Sequence, residues 1–132
     1  MKIKVDFVSN SSSTSFVYIA EDMLTRDDFF QAVGVNTDSP TAPLFDQMFQ
    51  QLKYNIERGD RLKSIEDIDA LEGDREFTPE VLARMRAALG EGKKVTTGRL
   101  SSEDGLAEGV LCTEIFEITS ERFFINAYDN YW

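Results

Sequence analysis

Apolar and polar residues alternate at the start of the chain. Ile3, Val5 and Phe7 share one side of an extended segment, and lysines and an aspartate occupy the other side, which is typical of a strand buried on one face. A second strand is predicted over residues 15–20, where consecutive residues are apolar on both faces. A run of small polar residues joins the two strands, so we expect a β-hairpin with a polar loop.

The middle of the chain changes to the helical period. The longest helical segment, from Thr41 to about Arg58, carries apolar residues at spacings of 3, 4, 7 and 11, which form one stripe. A Ser or Thr that can cap a helix begins each segment, and a glycine follows each end. We therefore expect four helices, which begin at Thr25, Thr41, Ser64 and Thr78 and are closed by Gly34, Gly59, Gly73 and Gly90.

After Gly92 the apolar residues return to a period of two. Strands are predicted at Lys93–Ser101, Val110–Thr119 and Arg122–Tyr128, with a turn at Glu103–Gly105. Strands at both ends and helices between them define the α+β class. We expect a mostly antiparallel sheet, formed by the N-terminal hairpin and a C-terminal three-stranded meander, with the four helices covering one face. A length of 132 residues is typical of one domain, so residues 1–132 are predicted to be a single domain.

The chain is acidic, with 24 Asp and Glu against 14 Lys and Arg and a formal net charge of −10. Nucleic acids and anionic membranes both require a basic face, so we expect neither as a partner. An acidic surface suits either plain solubility or a protein partner with a basic surface. Cys112 is the single cysteine and lies among apolar residues, so we expect a buried core thiol and no intrachain disulfide. With no signal-peptide pattern, this predicts a cytoplasmic protein.

The residue types that usually carry catalysis are sparse. The absence of histidine removes the usual Ser–His and Cys–His couples and most zinc sites. The Gly and Lys residues of 90–94 follow a helix and precede a strand, the reverse of a phosphate-binding loop. The acids of 66–74 lack the spacing of a calcium loop, and those of 21–28 surround a helix N-terminus, where acids stabilise the helix dipole. We therefore predict no catalytic residue, no metal site and no cofactor.

The polar run between the first two strands is the one candidate binding site. Hydroxyls and exposed backbone N–H groups in a tight loop can hold an anion or another polar ligand. The same run also fits a plain solvated loop, a protein-recognition edge or a phosphorylation target. The candidate ligand-binding residues are Ser9, Asn10, Ser11, Ser12, Ser13, Thr14 and Ser15.

The opening of the chain carries a resemblance. Met1-Lys2, Phe7-Val8-Ser9-Asn10, the serines of 11–13, Ser15 and Phe16 follow one another in that order. This opening resembles a group of small bacterial and phage proteins that begin with Met-Lys, a few alternating residues, Phe-Val-(Ser or Thr)-Asn, a serine run and Phe. Thr14 departs from the pattern by replacing a serine. The resemblance covers the first 17 residues and implies a role for the serine run, without implying a reaction.

Together these features predict a non-catalytic protein-interaction or regulatory module. The sparse catalytic residues, the acidic surface and the aromatic C-terminal pair Tyr131-Trp132 favour it. A small-ligand or anion-binding domain that uses residues 9–15 is the main alternative. A hydrolase or transferase would need two carboxylates that converge in a pocket. An acidic mimic of nucleic acid, made by a phage or mobile element, would need acids aligned along one face.

Overall fold

The computed structural model of the chain describes residues 2–10, 13–72, 77–101 and 113–128, with side chains described for 15–72, 77–99 and 117–127. In chain order the elements are β1 (Lys2–Asn10), β2 (Ser13–Ala20), α1 (Arg26–Val33), α2 (Ala42–Glu57), β3 (Asp60–Leu62), α3 (Ile65–Asp69), α4 (Pro79–Gly90), β4 (Lys94–Ser101), β5 (Thr113–Thr119) and β6 (Phe123–Tyr128). The sequence predictions for Ser11, Ser12, Cys112, the turn at 103–105 and the C-terminal aromatic pair lie outside the described residues.

The predicted helix starts are confirmed, because local hydrogen bonds form them. Thr25 Oγ1 accepts a hydrogen bond from the backbone N–H of Asp28 at 3.1 Å, and Thr78 Oγ1 accepts one from Val81 at 3.2 Å. Thr41 precedes α2 without a side-chain cap, and a proline occupies the first turn instead. Among the described residues, no helix combines the length and the apolar character needed to span a lipid bilayer.

The short helix α3 begins with a reciprocal cap. Ser64 Oγ accepts a hydrogen bond from the backbone N–H of Asp67 at 3.3 Å. The Asp67 carboxylate in turn accepts from the backbone N–H groups of Lys63 and Ser64, at 2.9 and 3.2 Å. These backbone donors, that of Lys63 above all, lower the pKa of Asp67 below its usual value. The cap therefore holds this carboxylate in its charged form.

The strands of the described residues form one antiparallel sheet of six, in the order β1-β5-β6-β2-β4-β3. The α+β class is therefore confirmed. The predicted N-terminal hairpin is wrong, because β1 pairs with β5 while β2 lies between β6 and β4. The predicted C-terminal meander is also wrong, because β4 pairs with β2 and β3 and only β5 and β6 form a hairpin. A strand that is apolar on both faces, such as β2, belongs in the interior of a sheet rather than at its edge.

Helices cover both faces of this sheet, so the prediction of a single covered face is wrong. Phe16 and Tyr18 of β2 face α1 and α2, where Phe29 and Phe49 lie with ring centroids 6.2 Å apart. The alternate residues of β2, Val17 and Ile19, pack instead against α3 and α4; the buried side chains on that side include Ile68, Leu82, Met85, Val95 and Phe124. Because the strand period is two, the apolar run of β2 places side chains in both layers.

The strand β3 adds an edge that the sequence analysis did not predict. It follows α2 directly and pairs with β4, with Asp60 opposite Thr97. Gly59 lies at this tight turn, where a Cβ atom would come within 2.5 Å of the carbonyl oxygen of Thr97 and 2.9 Å of Thr96 Cγ2. The missing side chain therefore allows α2 to approach the sheet edge. A segment of only three residues carries no clear strand pattern.

We expect Gly59→Ala to lower the free energy of unfolding by about 1–3 kcal/mol, because the added Cβ collides with backbone that cannot move without disturbing β4. Urea unfolding, followed by far-UV circular dichroism, measures the change. Gly90→Ala is the matched control, since nothing lies within 4 Å of a Cβ at that position. Equal stabilities for the two variants would contradict the close approach at Gly59.

Candidate functional site

The described residues of the predicted serine site lie within strands. Ser9 and Asn10 end β1, and Ser13, Thr14 and Ser15 begin β2. Ser15 is 4% exposed. The prediction that residues 9–15 form a single loop is therefore wrong, because both strands extend into it. Whether these residues bind a ligand stays a prediction.

The sheet face around Ser15 is unusually polar for a buried surface. Asn126, 5% exposed, lies opposite Val17 on the face that α3 and α4 cover. Its Nδ2 donates a hydrogen bond to Glu117 Oε1 at 3.2 Å, whereas its Oδ1 is buried and has no hydrogen-bond partner among the described residues. An unsatisfied buried acceptor costs about 1–3 kcal/mol. The serine end of this face therefore contains an acceptor that would be stabilised by a donor.

The opposite end of β2 borders open clefts that meet at the β5–β6 turn. Ser120 Oγ accepts hydrogen bonds from the backbone N–H groups of Arg122 and Phe123, at 3.3 and 3.1 Å, and so shapes the turn. One cleft of about 290 Å³ lies between this turn, the end of β2 and α1. We call it the acidic cleft, because its charged residues are Glu21, Asp22, Asp28 and Glu121 against Lys93 and Arg122.

Three segments that are distant in sequence build the acidic cleft: residues 18–28, Lys93 and the β5–β6 turn. The residues after β2 contribute Glu21 and Asp22, and the cap of α1 places Asp28 in its first turn. The β5–β6 turn contributes Glu121, while Arg122 Nε lies 3.6 Å from Asp28 Oδ1 and links the turn to α1. The acids beside α1 also interact favourably with the positive end of the helix dipole. The fold therefore concentrates negative charge at one end of the sheet.

The wall of the acidic cleft contains a buried phenol. The Tyr18 hydroxyl donates a hydrogen bond to the backbone carbonyl of Asp22 at 2.7 Å. Burial raises the pKa of Tyr18 well above its ordinary value, and the negative charges of Asp28 and Asp22 raise it further. The hydroxyl therefore stays protonated and fixes the chain that carries Glu21 and Asp22.

The acidic cleft has four carboxylates and two cationic side chains, so its own cations cannot pair with every carboxylate. Arg122 pairs with Asp28, and Lys93 Nζ lies 3.3 Å from Glu91 Oε2. Within the described part of the chain, Glu21, Asp22 and Glu121 form no ion pair. The side chain of Met23, 42% exposed, adds an apolar surface beside them. This combination suits a long cationic side chain, whose stem is apolar and whose end is charged.

No group of three or more Cys, Asp or Glu side chains among the described residues is arranged to hold a metal ion. From the sequence, the acids of 21–28 are expected only as helix-dipole partners. Tyr18, Lys93 and Glu121 cannot be assigned to one site from the sequence, because no local pattern links segments so far apart. The contribution of the β5–β6 turn depends on strand pairing.

We expect the stabilising effect of Tyr18 to decline above pH 10.0, the ordinary pKa of a tyrosine. There the unfolded chain loses the phenolic proton while the folded chain keeps it, so the free energy of unfolding falls as pH rises. Tyr18→Phe loses the hydrogen bond, which lowers the free energy of unfolding by about 0.5–1.5 kcal/mol at neutral pH. The variant has no hydroxyl at this position to ionise. Chemical denaturation should show that the difference in free energy of unfolding between the unmodified protein and Tyr18→Phe becomes smaller as the pH rises through this range.

Tyr54→Phe is the matched control, because Tyr54 is 56% exposed. Its pH curve should follow that of the unmodified protein. A gap between the unmodified protein and Tyr18→Phe that stays constant through pH 10.0 would show that Tyr18 is not held protonated by its surroundings.

No protein-family model, no curated protein and no solved structure matches the chain. The function is therefore inferred from the residues of the chain itself. The acidic cleft offers carboxylates that pair with no described cation, an exposed methionine side chain and a hydrogen-bonded turn.

Proposed function

We propose that the protein is a non-catalytic interaction module that binds a basic segment of a partner protein in the acidic cleft. The observation that carries this proposal is the group of three carboxylates, Glu21, Asp22 and Glu121, that line one cleft without an ion pair to a described residue. A lysine or arginine side chain of the partner would supply the missing positive charge.

The shape and composition of the cleft support this kind of ligand. The exposed side chain of Met23 can contact the methylene groups of a lysine or arginine, while the carboxylates contact its charged end. The hydrogen bond from Tyr18 and the turn around Ser120 hold the two rims in place. A preformed site loses less conformational entropy on binding than a flexible one.

The charge of the whole chain supports the same partner. With a formal net charge of −10, the protein attracts basic segments at long range and so raises the rate of encounter. Exposed charge pairs contribute only about 0.2–1 kcal/mol each, so the complex should be weak and sensitive to salt. We propose the cytoplasm as the compartment, since a single cysteine permits no intrachain disulfide.

The small-ligand alternative keeps one observation in its favour. Asn126 Oδ1 is buried on the face that also holds Ser15, and no described residue donates a hydrogen bond to it. A small amide or amine compound could supply that donor. A saturable thermal shift with such a compound, lost in Ser15→Ala, would favour this alternative over the interaction module.

We expect the double variant Asp22→Asn, Glu121→Gln to weaken binding of a fluorescent oligolysine peptide by about 0.4–2 kcal/mol, because two exposed charge pairs are lost. Fluorescence anisotropy at about 0.15 M salt measures the dissociation constant, and higher salt should weaken binding further. An uncharged Gly-Ser peptide of the same length should not bind.

The matched control is Glu66→Gln, Glu80→Gln, which removes the same charge from the first turns of α3 and α4. It should leave the affinity almost unchanged. Equal weakening by both double variants would show that the peptide responds to net charge alone and would remove the acidic cleft as the binding site.

A further inference from the structure

A second cleft lies on the other side of the β5–β6 turn and has the opposite charge balance. It has a volume of about 260 Å³ and separates α4 from the turn. We call it the basic cleft, because Arg84, Lys93 and Arg122 line it together with only two acids, Glu91 and Glu121. A local excess of positive charge is notable in a chain with a formal net charge of −10.

Arg84 is the residue that distinguishes this cleft. Its guanidinium carbon lies 4.2 Å from the centroid of the Phe124 ring, and this stacking restrains the side chain at the cleft wall. In the described part of the chain no carboxylate pairs with it, whereas Lys93 is engaged with Glu91 and Arg122 with Asp28. The guanidinium N–H donors of Arg84 therefore have no carboxylate acceptor among the described residues.

The helical period of α4 explains the space beside Arg84. Residues 84, 87 and 88 of α4 and its C-cap residue Glu91 recur at spacings of three and four, so they lie on one side of the helix, and all four border the cleft. Ala87 and Ala88 carry the smallest side chains of this face, and the gap they leave lies between two charged positions. Ala87 is exposed, so a larger side chain there would enter the cleft rather than the core.

We propose that the basic cleft binds a small oxyanion, a phosphate or carboxylate group, through Arg84. A restrained guanidinium matches the paired oxygens of such groups with two parallel N–H donors. Lys93 and Arg122 also line the cleft, although each already pairs with an acid. The stacked Phe124 ring restrains the Arg84 side chain, so that less of its freedom is lost on binding. The two clefts share Lys93, Glu121 and Arg122, but Arg84 lines the basic cleft and not the acidic one, whereas Asp22 lines the acidic cleft and not the basic one. The two proposals therefore rest on different residues.

NMR titration of the full chain with inorganic phosphate, and separately with acetate, tests this proposal. We expect saturable shifts of the Arg84 Nε–H resonance and of the 119–122 amides. Arg84→Gln should weaken binding about tenfold, since it removes charge-assisted hydrogen bonds. Arg86→Gln is the matched control on the same helix, because its guanidinium pairs with Asp69 and Glu72, at 2.9 and 3.1 Å, outside the cleft.

A second variant tests the cleft without changing charge. Ala87→Leu should block phosphate while leaving the folded amide spectrum in place, and Asp22→Asn should leave phosphate binding intact. Tighter binding of phosphate than of acetate would assign the site to phosphorylated ligands, and the reverse would assign it to carboxylates. Equal weakening by Arg84→Gln and Arg86→Gln, or full binding by Ala87→Leu, would overturn the proposal.

Discussion

The burial of β2 on both of its faces is the constraint on which the rest of the structure depends. Phe16 and Tyr18 enter the layer formed with α1 and α2, and Val17 and Ile19 enter the layer formed with α3 and α4. A strand with apolar side chains on both faces loses stability wherever either face meets water. It therefore requires a neighbouring strand on each side and a helical layer on each face.

This constraint also positions both clefts. The apolar part of β2 ends at Ala20, and beyond it the chain turns outward through the acids that precede α1. The β5–β6 turn reaches the same end of the sheet, because β6 pairs with β2 in antiparallel register from Ser15 opposite Tyr128 to Ala20 opposite Phe123. Charged groups from α1, α4 and the turn consequently surround the end of one buried strand.

The turn itself separates two electrostatic environments. Arg122 is tied to Asp28 on the α1 side, and Lys93 is tied to Glu91 near the end of α4. These pairs leave carboxylates in excess on one side of the turn and the stacked guanidinium of Arg84 on the other. A short hydrogen-bonded turn therefore lies between two adjoining clefts with opposite charge balance.

The local features of the fold could be predicted from the amino-acid sequence. Thr25, Ser64 and Thr78 begin helices because each accepts a hydrogen bond from a backbone N–H three residues later, an interaction complete within one turn. Strand positions followed from the period of two, although β3 was missed because three residues carry too little pattern. The charge balance and the lack of histidine came directly from composition.

The strand order, the covering of both faces and the meeting of Asp28 with Arg122 were decided by tertiary structure. A hairpin between β1 and β2 satisfies the local pattern as well as the observed pairing does. The difference lies in side-chain packing and hydrogen bonding between residues remote in sequence, which no local period records. The sequence by itself determined the elements and their charges, and only packing around β2 determined which of those charges became neighbours.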